Sequence, residues 1–342
     1  MESPEYIKTS LAAAISLGFE NGSFTKGIKL TGLNLLLTYE SGCIGKCAYC
    51  GISKSRIVGK EKKTFIRVKW PTYKLDDVIE AVKMRENNFE RICISMITHK
   101  NALEDTKFIT KKISSKIDLP ISLLIAPILI NSPEQLKELK DCGAEMAGIA
   151  LDAANEKIFE KYRGKGVGSP HSWGKYWEVL NWAVDVFGEF NAGIHLIVGL
   201  GETEKEAVNT IYRAYEIGAK THLFSFYPEP DSKLINSLPP ELLSYRKIQI
   251  ARYLINEENY QIKNIKFDSD GKILYFSDYD LKKIINNGYA FMTSGCPCKN
   301  STISACNRPF ANERPSEIFR NYPYRPDETD KEMIREQIKI LL

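Results

Sequence analysis

The most informative stretch of this chain reads Leu35-Leu36-Leu37-Thr38-Tyr39-Glu40-Ser41-Gly42-Cys43-Ile44-Gly45-Lys46-Cys47-Ala48-Tyr49-Cys50-Gly51. Its apolar start predicts a buried strand, and three cysteines with the spacing C-x3-C-x2-C follow in a glycine-rich loop. Three thiolates in so short a loop can bind one metal centre. Structural zinc takes four ligands, whereas three thiolates can hold a cubane iron–sulfur cluster and leave its fourth iron open. The alternative is three unrelated thiols buried in the core.

Strands and helices alternate along the chain after this loop. Apolar periodicity predicts strands over residues 31–38, 91–97, 121–127, 146–151, 192–198 and 222–226. It predicts helices over residues 75–87, 101–116, 173–187 and 203–217, and one more between Ser132 and Gly143. This alternation favours an α/β fold, a parallel (β/α) barrel of the TIM type that is complete or partial. Ligands of such folds bind at the carboxyl ends of the strands.

We divide the chain into three parts. Residues 1–28 are a helical or irregular N-terminal lead-in, and residues 29–240 are the barrel core. Residues 241–342 complete the barrel and then become rich in Cys, Pro, Asn, Arg and Tyr. We expect this cysteine-containing extension to pack over the barrel mouth.

Composition and charge exclude several functional classes. The formal net charge is +4, from 47 basic and 43 acidic residues without a long single-sign block, so we expect no nucleic acid and no membrane as a partner. The N-terminus carries Glu2 and Glu5 before a short apolar patch and does not resemble a secretory signal. The longest apolar run, residues 119–130, is interrupted by Pro120 and Pro127 and is too short to span a bilayer. We therefore expect a cytoplasmic protein.

A second group of cysteines lies near the C-terminus. Cys296, Cys298 and Cys306 fall within eleven positions. In a reducing compartment they indicate a second iron–sulfur cluster, a zinc site with a fourth ligand from elsewhere, or inert thiols. A cluster with three cysteine ligands would leave one iron to another group, and nearby candidates are Ser294, Ser301 and Ser304. We interpret Cys93 and Cys142 as packing residues.

The first cysteine loop, with Tyr49 before its third cysteine, resembles the signature of the radical S-adenosylmethionine (SAM) superfamily. In that family a [4Fe–4S] cluster chelates the cofactor through its open iron, and an electron from the cluster cleaves SAM to a 5′-deoxyadenosyl radical. The resemblance implies that Cys43, Cys47 and Cys50 are the catalytic cluster ligands. It also implies that Tyr49 contacts the cofactor.

Further cofactor contacts are implied by the same resemblance. Gly199, Gly201 and Glu202 follow the fifth predicted strand and resemble the adenine-contacting motif of these barrels, although an ordinary strand-to-helix turn has the same pattern. Asp152 ends the fourth strand, where the family places a polar side chain near the cofactor. Arg163 follows at a distance suited to pairing with the carboxylate of SAM, and the alternative for it is a solvated helix face.

The segment after the second strand departs from the family pattern. Many members carry Gly-Gly-Glu there, whereas this chain has Ser95 and Thr98, which we expect to substitute as hydrogen-bonding groups. His195 and His222 lie within apolar strands, and each either faces the barrel lumen or is a hydrogen-bonded core residue.

The tail resembles one branch of the superfamily. Residues 226–230, Phe-Tyr-Pro-Glu-Pro, look like the biotin synthase and lipoyl synthase branch. Bacterial lipoyl synthase carries auxiliary cysteines before the radical motif, whereas this chain has none before Cys43. Residues 293–324, with Cys-Asn-Arg-Pro and Glu-Arg-Pro, are similar to archaeal-type lipoyl synthase, which works as two radical proteins.

This resemblance implies sulfur insertion into the octanoyl chain of a lipoyl-carrier protein, with an auxiliary [4Fe–4S] cluster on Cys296, Cys298 and Cys306 as the sulfur source. It also implies a second radical SAM subunit and an electron donor such as ferredoxin. The alternatives are a mutase or cofactor-assembly enzyme whose second cluster transfers electrons, and a non-enzymatic zinc or RNA-binding protein.

Overall fold

The computed structural model describes residues 1–56, 64–307, 313–314 and 316–341. The strands of its main sheet are β1 Tyr6–Thr9, β2 Gly32–Leu36, β3 Thr72–Lys74, β4 Arg91–Ser95, β5 Ile121–Ile125, β6 Ala144–Asp152, β7 Ala192–Val198 and β8 Ala219–Ser225. Their order in the sheet is β3-β1-β2-β4-β5-β6-β7-β8. Strands β2 and β4 to β8 pair in parallel, and β1 pairs antiparallel with both β2 and β3.

Helices follow most of the strands and pack against the outer face of the sheet or, near the C-terminus, against one another. They are α1 Leu11–Ser16, α2 Leu75–Lys83, α3 Ala102–Ser114, α4 Pro133–Asp141, α5 Glu156–Tyr162, α6 Trp173–Phe187, α7 Glu204–Glu216, α8 Leu242–Glu258, α9 Leu281–Asn287 and α10 Glu328–Ile338. A two-stranded sheet of β9 Ile265–Phe267 and β10 Ile273–Phe276 lies between α8 and α9. The predicted α/β fold with a mostly parallel, barrel-like sheet is confirmed.

Several short elements, among them β9, were not predicted from the sequence. The lead-in, predicted as helical or irregular, contributes β1 to the main sheet and pairs with β2 through Lys8 and Thr9. Strand β3 extends the same edge, and α5 follows β6 directly. Strands of three or four residues carry too little periodicity to be recognised alone.

The strands alternate between two environments, which define the lumen. In β4, Ile92 and Ile94 are fully buried on the helix-covered face. Cys93 and Ser95 lie on the opposite face, and Ser95 lines a cavity inside the curved sheet. Because side chains alternate along a strand, the inward positions of neighbouring strands form layers across this lumen.

The C-terminal segment contacts both β8 and the start of β2, the last and first strands of the parallel part of the sheet. The backbone N–H of Leu223 in β8 donates to the Ser294 Oγ at 2.8 Å. Thr31, just before β2, donates through its Oγ1 to the Ala305 carbonyl at 2.8 Å. The tail therefore connects the last parallel strand to the first.

The second cysteine group is not at the barrel mouth, which corrects the position expected from the sequence. Residues 296–306 form a short hairpin in which Pro297 pairs with Ser304. This cysteine hairpin lies at the amino-terminal ends of the strands, because the guanidinium of Arg91, the first residue of β4, donates to the Pro297 carbonyl at 2.7 Å. A later part of the tail does reach the mouth, where Glu317 pairs with Arg67.

Two parts of the quoted tail motifs lie outside the described residues, namely residues 308–310 and residue 315. Among the helices that the structure describes, none combines the length and apolar character needed to cross a bilayer.

Candidate active site

The first cysteine loop leaves the carboxyl end of β2 and crosses the top of the sheet. The backbone N–H of Ile44 donates to the Thr98 carbonyl at 2.9 Å, beyond the end of β4. The N–H of Ala48 donates to the carbonyl of Tyr162, the last residue of α5, at 2.7 Å. These bonds attach the loop to the segment after β4 and to the helix after β6, and they fix it over the lumen.

The loop brings its thiols close to one another. A Cβ atom built on Gly45 would lie 3.3 Å from the Cys43 Sγ and 3.8 Å from the Cys47 Sγ. Burial raises the pKa of Cys47 to about 11 and also raises the pKa of Cys50, so metal coordination is what would stabilise their thiolates. Within the described part of the chain, no three Cys, His, Asp or Glu side chains already stand in a metal-binding arrangement.

Tyr49, Asp152 and Arg163 form one buried cluster beside the cysteines. The Tyr49 hydroxyl donates to the Asp152 carboxylate at 2.7 Å, and the Arg163 guanidinium donates to the Tyr49 oxygen at 2.8 Å. Arg163 also forms an ion pair with Asp152. Burial raises the pKa of Asp152, and the charge of Arg163 opposes that shift. The structure thus brings together three residues that sequence reasoning had assigned separately to the cofactor.

Two members of this cluster were missed in the sequence. The Arg163 guanidinium donates to the Tyr176 hydroxyl oxygen at 2.9 Å, and that oxygen lies 2.8 Å from His171 Nδ1. Burial and, as the smaller cause, the charge of Arg163 lower the pKa of His171 to about 2, so the imidazole is neutral. Tyr176 lies on α6, and only folding brings that helix to Arg163.

The lumen contains a cavity that reaches from the cysteine loop toward the middle of the sheet. Polar atoms concentrate at its upper end, where Cys43, Cys47, Cys50, Asp152, Arg163 and His171 line it. Its walls are mainly apolar and include Leu36, Met96, Ile97, Leu124, Ile197 and Phe224. A polar end and an apolar body suit a ligand with the same division.

The substitutes proposed for the missing Gly-Gly-Glu motif also line this cavity. Ser95 ends β4 and Thr98 follows in the next loop. His195 lines the cavity as well, and it pairs in register with His222 at a ring-centroid separation of 5.7 Å. The structure therefore places His195 in the lumen rather than in the outer core.

The loop after β7 is stabilised by hydrogen bonds within itself. The described cavity lining does not include Gly199, Gly201 or Glu202. The Glu202 carboxylate accepts the N–H groups of Gly199 at 2.5 Å and Leu200 at 3.0 Å, and burial raises its pKa despite these bonds. Gly199 has φ 111°, and a Cβ there would approach Pro240 Cδ to 2.6 Å, which explains the glycine. The assignment of these residues to SAM stays a prediction.

The segment after β8 forms part of the cavity rim. Phe226, Tyr227 and Glu229 line the cavity. The Glu229 carboxylate accepts the Thr64 hydroxyl at 2.7 Å and the backbone N–H of Arg67 at 2.6 Å. The rim is thus built from two segments that are far apart in the sequence.

The cysteine hairpin closes the opposite, amino-terminal end of the lumen. The Asn34 amide contacts the Cys306 Sγ at 3.7 Å. Burial raises the pKa of Cys296, while a hydrogen bond from Ser122 and the charge of Arg91 lower it. Both Asn34 and Ser122 occupy inward positions of their strands, so the two thiols face the floor of the lumen.

Cys298 has different surroundings from the other two cysteines of the hairpin. Burial raises its pKa, a Ser301 hydrogen bond lowers it, and the charges of Glu90 and Arg91 act on it in opposite directions. Glu90 directly precedes β4, so Cys298 lies at the outer edge of the floor. The structure brings Cys296 and Cys306 together and leaves Cys298 beside them.

Solved structures that resemble this chain include two of a hydrogenase maturase and one of a synthase. HydG, a maturase of the [FeFe]-hydrogenase, matches with a TM-score of 0.54 and 14% identity over 71% of this chain and 57% of that chain. HydG from Carboxydothermus hydrogenoformans gives 0.51 and 16% identity over 71% and 59%. Methylornithine synthase (PylB) gives 0.49 and 13% identity over 70% and 67%. The chain spans less than two thirds of the HydG chains, and the likeness at these identities concerns the fold alone.

No curated protein sequence is significantly similar to this chain. A sequence model of the Radical SAM superfamily matches residues 39–214, just over half of the chain. That family implies a [4Fe–4S] cluster and SAM, and the residues fit them: the thiols of Cys43, Cys47 and Cys50 line the polar end of an apolar cavity. The chain belongs to the radical SAM superfamily.

Proposed function

We propose that this protein is a sulfur-insertion enzyme of the lipoyl synthase type, which thiolates the octanoyl chain of a lipoyl-carrier protein in the cytoplasm. The sulfur would come from an auxiliary [4Fe–4S] cluster on Cys296, Cys298 and Cys306. One observation carries the proposal: Cys43, Cys47 and Cys50 line the upper end of an apolar cavity, and Cys296 and Cys306 contact inward residues of the same sheet, Ser122 and Asn34, below the described lining. A carbon held between them would have a radical source on one side and a sulfur source on the other.

The upper end of the cavity suits the cofactor. When bound, SAM and the first cluster supply a radical that abstracts hydrogen from an unactivated carbon. Arg163, with its partners Asp152 and Tyr49, provides charged and hydrogen-bonding groups directly beside the cysteine loop. Because these groups are buried and mutually bonded, they keep a fixed geometry for a polar ligand.

The body of the cavity suits an acyl chain. Its walls present aliphatic and aromatic side chains from β2, β5, β7 and β8, among them Leu36, Leu124, Ile197 and Phe224. Such walls exclude water, which protects a carbon radical from side reactions. They also bury the methylene groups of the substrate, each worth about 0.8 kcal/mol.

The rim is where the carrier protein would approach. Tyr227 and Glu229 line the opening, and the ion pair between Arg67 and Glu317 joins the rim loop to the tail. We propose an octanoylated carrier domain as the substrate partner, a second radical SAM subunit as a co-catalyst, and a ferredoxin-like protein as the electron donor.

The test uses anaerobically reconstituted protein with SAM, reductant and an octanoyl-lysyl peptide. We expect about eight irons per chain, formation of 5′-deoxyadenosine, and a peptide that gains sulfur in mass spectrometry. Replacing Cys296 by Ala is expected to abolish thiolation while much of the cofactor cleavage remains, because Cys296 lies at the end of the lumen away from the radical loop.

Cys142→Ala is the matched control, since this cysteine is the C-cap of α4 and lies outside both cysteine groups. Cofactor cleavage without sulfur gain, even with a partner subunit present, would contradict sulfur insertion. It would instead favour a mutase or cofactor-assembly enzyme in which the second cluster transfers electrons. Zinc in place of iron at the second site would also rule out the proposal.

A further inference from the structure

Cys93 occupies the centre of β4 on the inward face of the sheet. Its orientation follows from the other residues of the strand. Ile92 and Ile94 are fully buried on the outer face, and Ser95, two residues after Cys93, lines the cavity. The sequence suggested only packing for this thiol, yet the strand directs it into the lumen.

The register of the sheet places Cys93 between two residues that contact the cysteine hairpin. Its Cα partner in β2 is Asn34, and its Cα partner in β5 is Ser122. The Asn34 amide contacts the Cys306 Sγ at 3.7 Å, and the Ser122 hydroxyl bonds to Cys296. Side chains of adjacent strands in one layer are separated by about 5 Å. The thiol of Cys93 therefore belongs to the same layer as the groups that hold the two hairpin thiols.

Arg91 fixes the hairpin against this layer. Its guanidinium donates to the Pro297 carbonyl at 2.7 Å and to the Ser122 Oγ at 3.1 Å. One buried side chain thus joins the hairpin to the strand that carries Cys93, two residues further on. A positive charge beside several thiols also favours their thiolate form, which is the form that binds metal.

We propose that Cys93 is the fourth thiolate ligand of the site formed by Cys296, Cys298 and Cys306, and that this site binds an iron–sulfur cluster. The inference rests on the proposed function, since it completes the ligand set of the auxiliary cluster. Cys93 approaches from the lumen, whereas the other three cysteines belong to the hairpin below it. A cluster bound in this way would be held by Cys93 on the side of the cavity, two residues below Ser95 in β4.

The first experiment isolates the second site. In a background with Cys43, Cys47 and Cys50 all replaced by Ala, anaerobic reconstitution is expected to leave about four irons per chain. Adding Cys93→Ala is expected to remove at least half of that iron and to change the electron paramagnetic resonance signal of the reduced cluster. Adding Cys142→Ala is expected to change neither. Iron content and signal equal to those of the background would overturn the assignment of Cys93.

A second measurement keeps the assignment testable if the alanine variant folds poorly. Cys93→Ser preserves the size of the side chain, and Co²⁺ alone serves as the probe of the thiolates in the metal-free background protein. We expect the sulfur-to-cobalt charge-transfer band to lose about a quarter of its intensity, one thiolate in four. An unchanged band would exclude Cys93 as a ligand.

The two experiments separate this inference from the function. If the background protein binds Co²⁺ through Cys93 but never assembles an iron–sulfur cluster, Cys93 is a metal ligand, and both the cluster and sulfur insertion are rejected. If Cys93→Ala retains full iron and the peptide still gains sulfur, the function stands and the assignment of Cys93 is wrong.

Discussion

Gly32 is the position at which the docking of the cysteine hairpin can be tested most directly. It opens β2, and a Cβ atom built there would lie 2.6 Å from the Ala305 carbonyl oxygen and 2.9 Å from the Cys306 Cα. Both contacts are to backbone atoms, so no side-chain rotation can relieve them. Gly32→Ala must therefore displace the hairpin by several tenths of an ångström.

The expected cost follows from these contacts. Adding a methyl group to a packed interface costs about 1–3 kcal/mol. The displacement also weakens the hydrogen bond from Thr31 to the Ala305 carbonyl, which contributes about 1 kcal/mol. An added Cβ stabilises a strand by up to about 1 kcal/mol, which offsets that second loss. The net destabilisation of the hairpin is therefore about 1–3 kcal/mol.

Hydrogen exchange followed by mass spectrometry measures this local effect. In Gly32→Ala, amides of residues 293–307 are expected to exchange about 5- to 150-fold faster, as the free-energy difference requires, while β7 peptides stay unchanged. Gly174→Ala in α6 is the matched control, because nothing lies within 4 Å of its built Cβ. Exchange of the hairpin within two-fold of the parent protein would refute the steric reasoning.

Three further predictions concern other contacts. Arg163→Met and Asp152→Asn are each expected to lower the free energy of unfolding by about 3–5 kcal/mol, because each leaves a buried charge unpaired. Urea denaturation should show that the double variant loses less unfolding free energy than the two single variants together. Additive losses would contradict the coupling of the two residues. Thr203→Ala removes the capping box of α7 and is expected to cost about 1 kcal/mol, so an unchanged thermal midpoint would argue against it. The hydrogen bond from Lys26 lowers the pKa of Asp327, the N-cap of α10, from 3.8 to about 2. The ion pair that joins α10 to the lead-in is therefore fully formed above pH 4 and weakens as the pH falls toward 2. Pepsin should then cleave α10 faster at pH 2 than at pH 4, and this pH dependence should be smaller in Asp327→Asn.

The barrel elements with strong local signals could be predicted closely from the sequence. The predicted bounds of α6 and β7 agree with the observed Trp173–Phe187 and Ala192–Val198. The apolar period of α6 is a local feature, and the helix ends at Gly188, which has a positive φ of 96°. The cysteine loop was recognisable for the same reason, since its three cysteines fall within eight positions.

Features that depend on distant residues could not be predicted in this way. The position of the cysteine hairpin follows from contacts such as the hydrogen bond between Thr31 and Ala305. No local sequence pattern predicts that these two residues meet. The bond of His171 to Tyr176 is local, but its relation to Arg163 exists only once α5 and α6 pack together. The inward direction of Cys93 likewise depends on which face of β4 the helices cover.

The connection between Thr31 and Ala305 has a consequence for how the protein is made. These residues are 274 positions apart, so the floor of the lumen forms only after nearly the whole chain has left the ribosome. The Cys43 to Cys50 loop belongs to units that are synthesised early, whereas Cys296 and Cys306 arrive last and must find the start of β2. Newly made protein therefore has its Cys43 to Cys50 loop complete before the cysteine hairpin reaches its place beside β2.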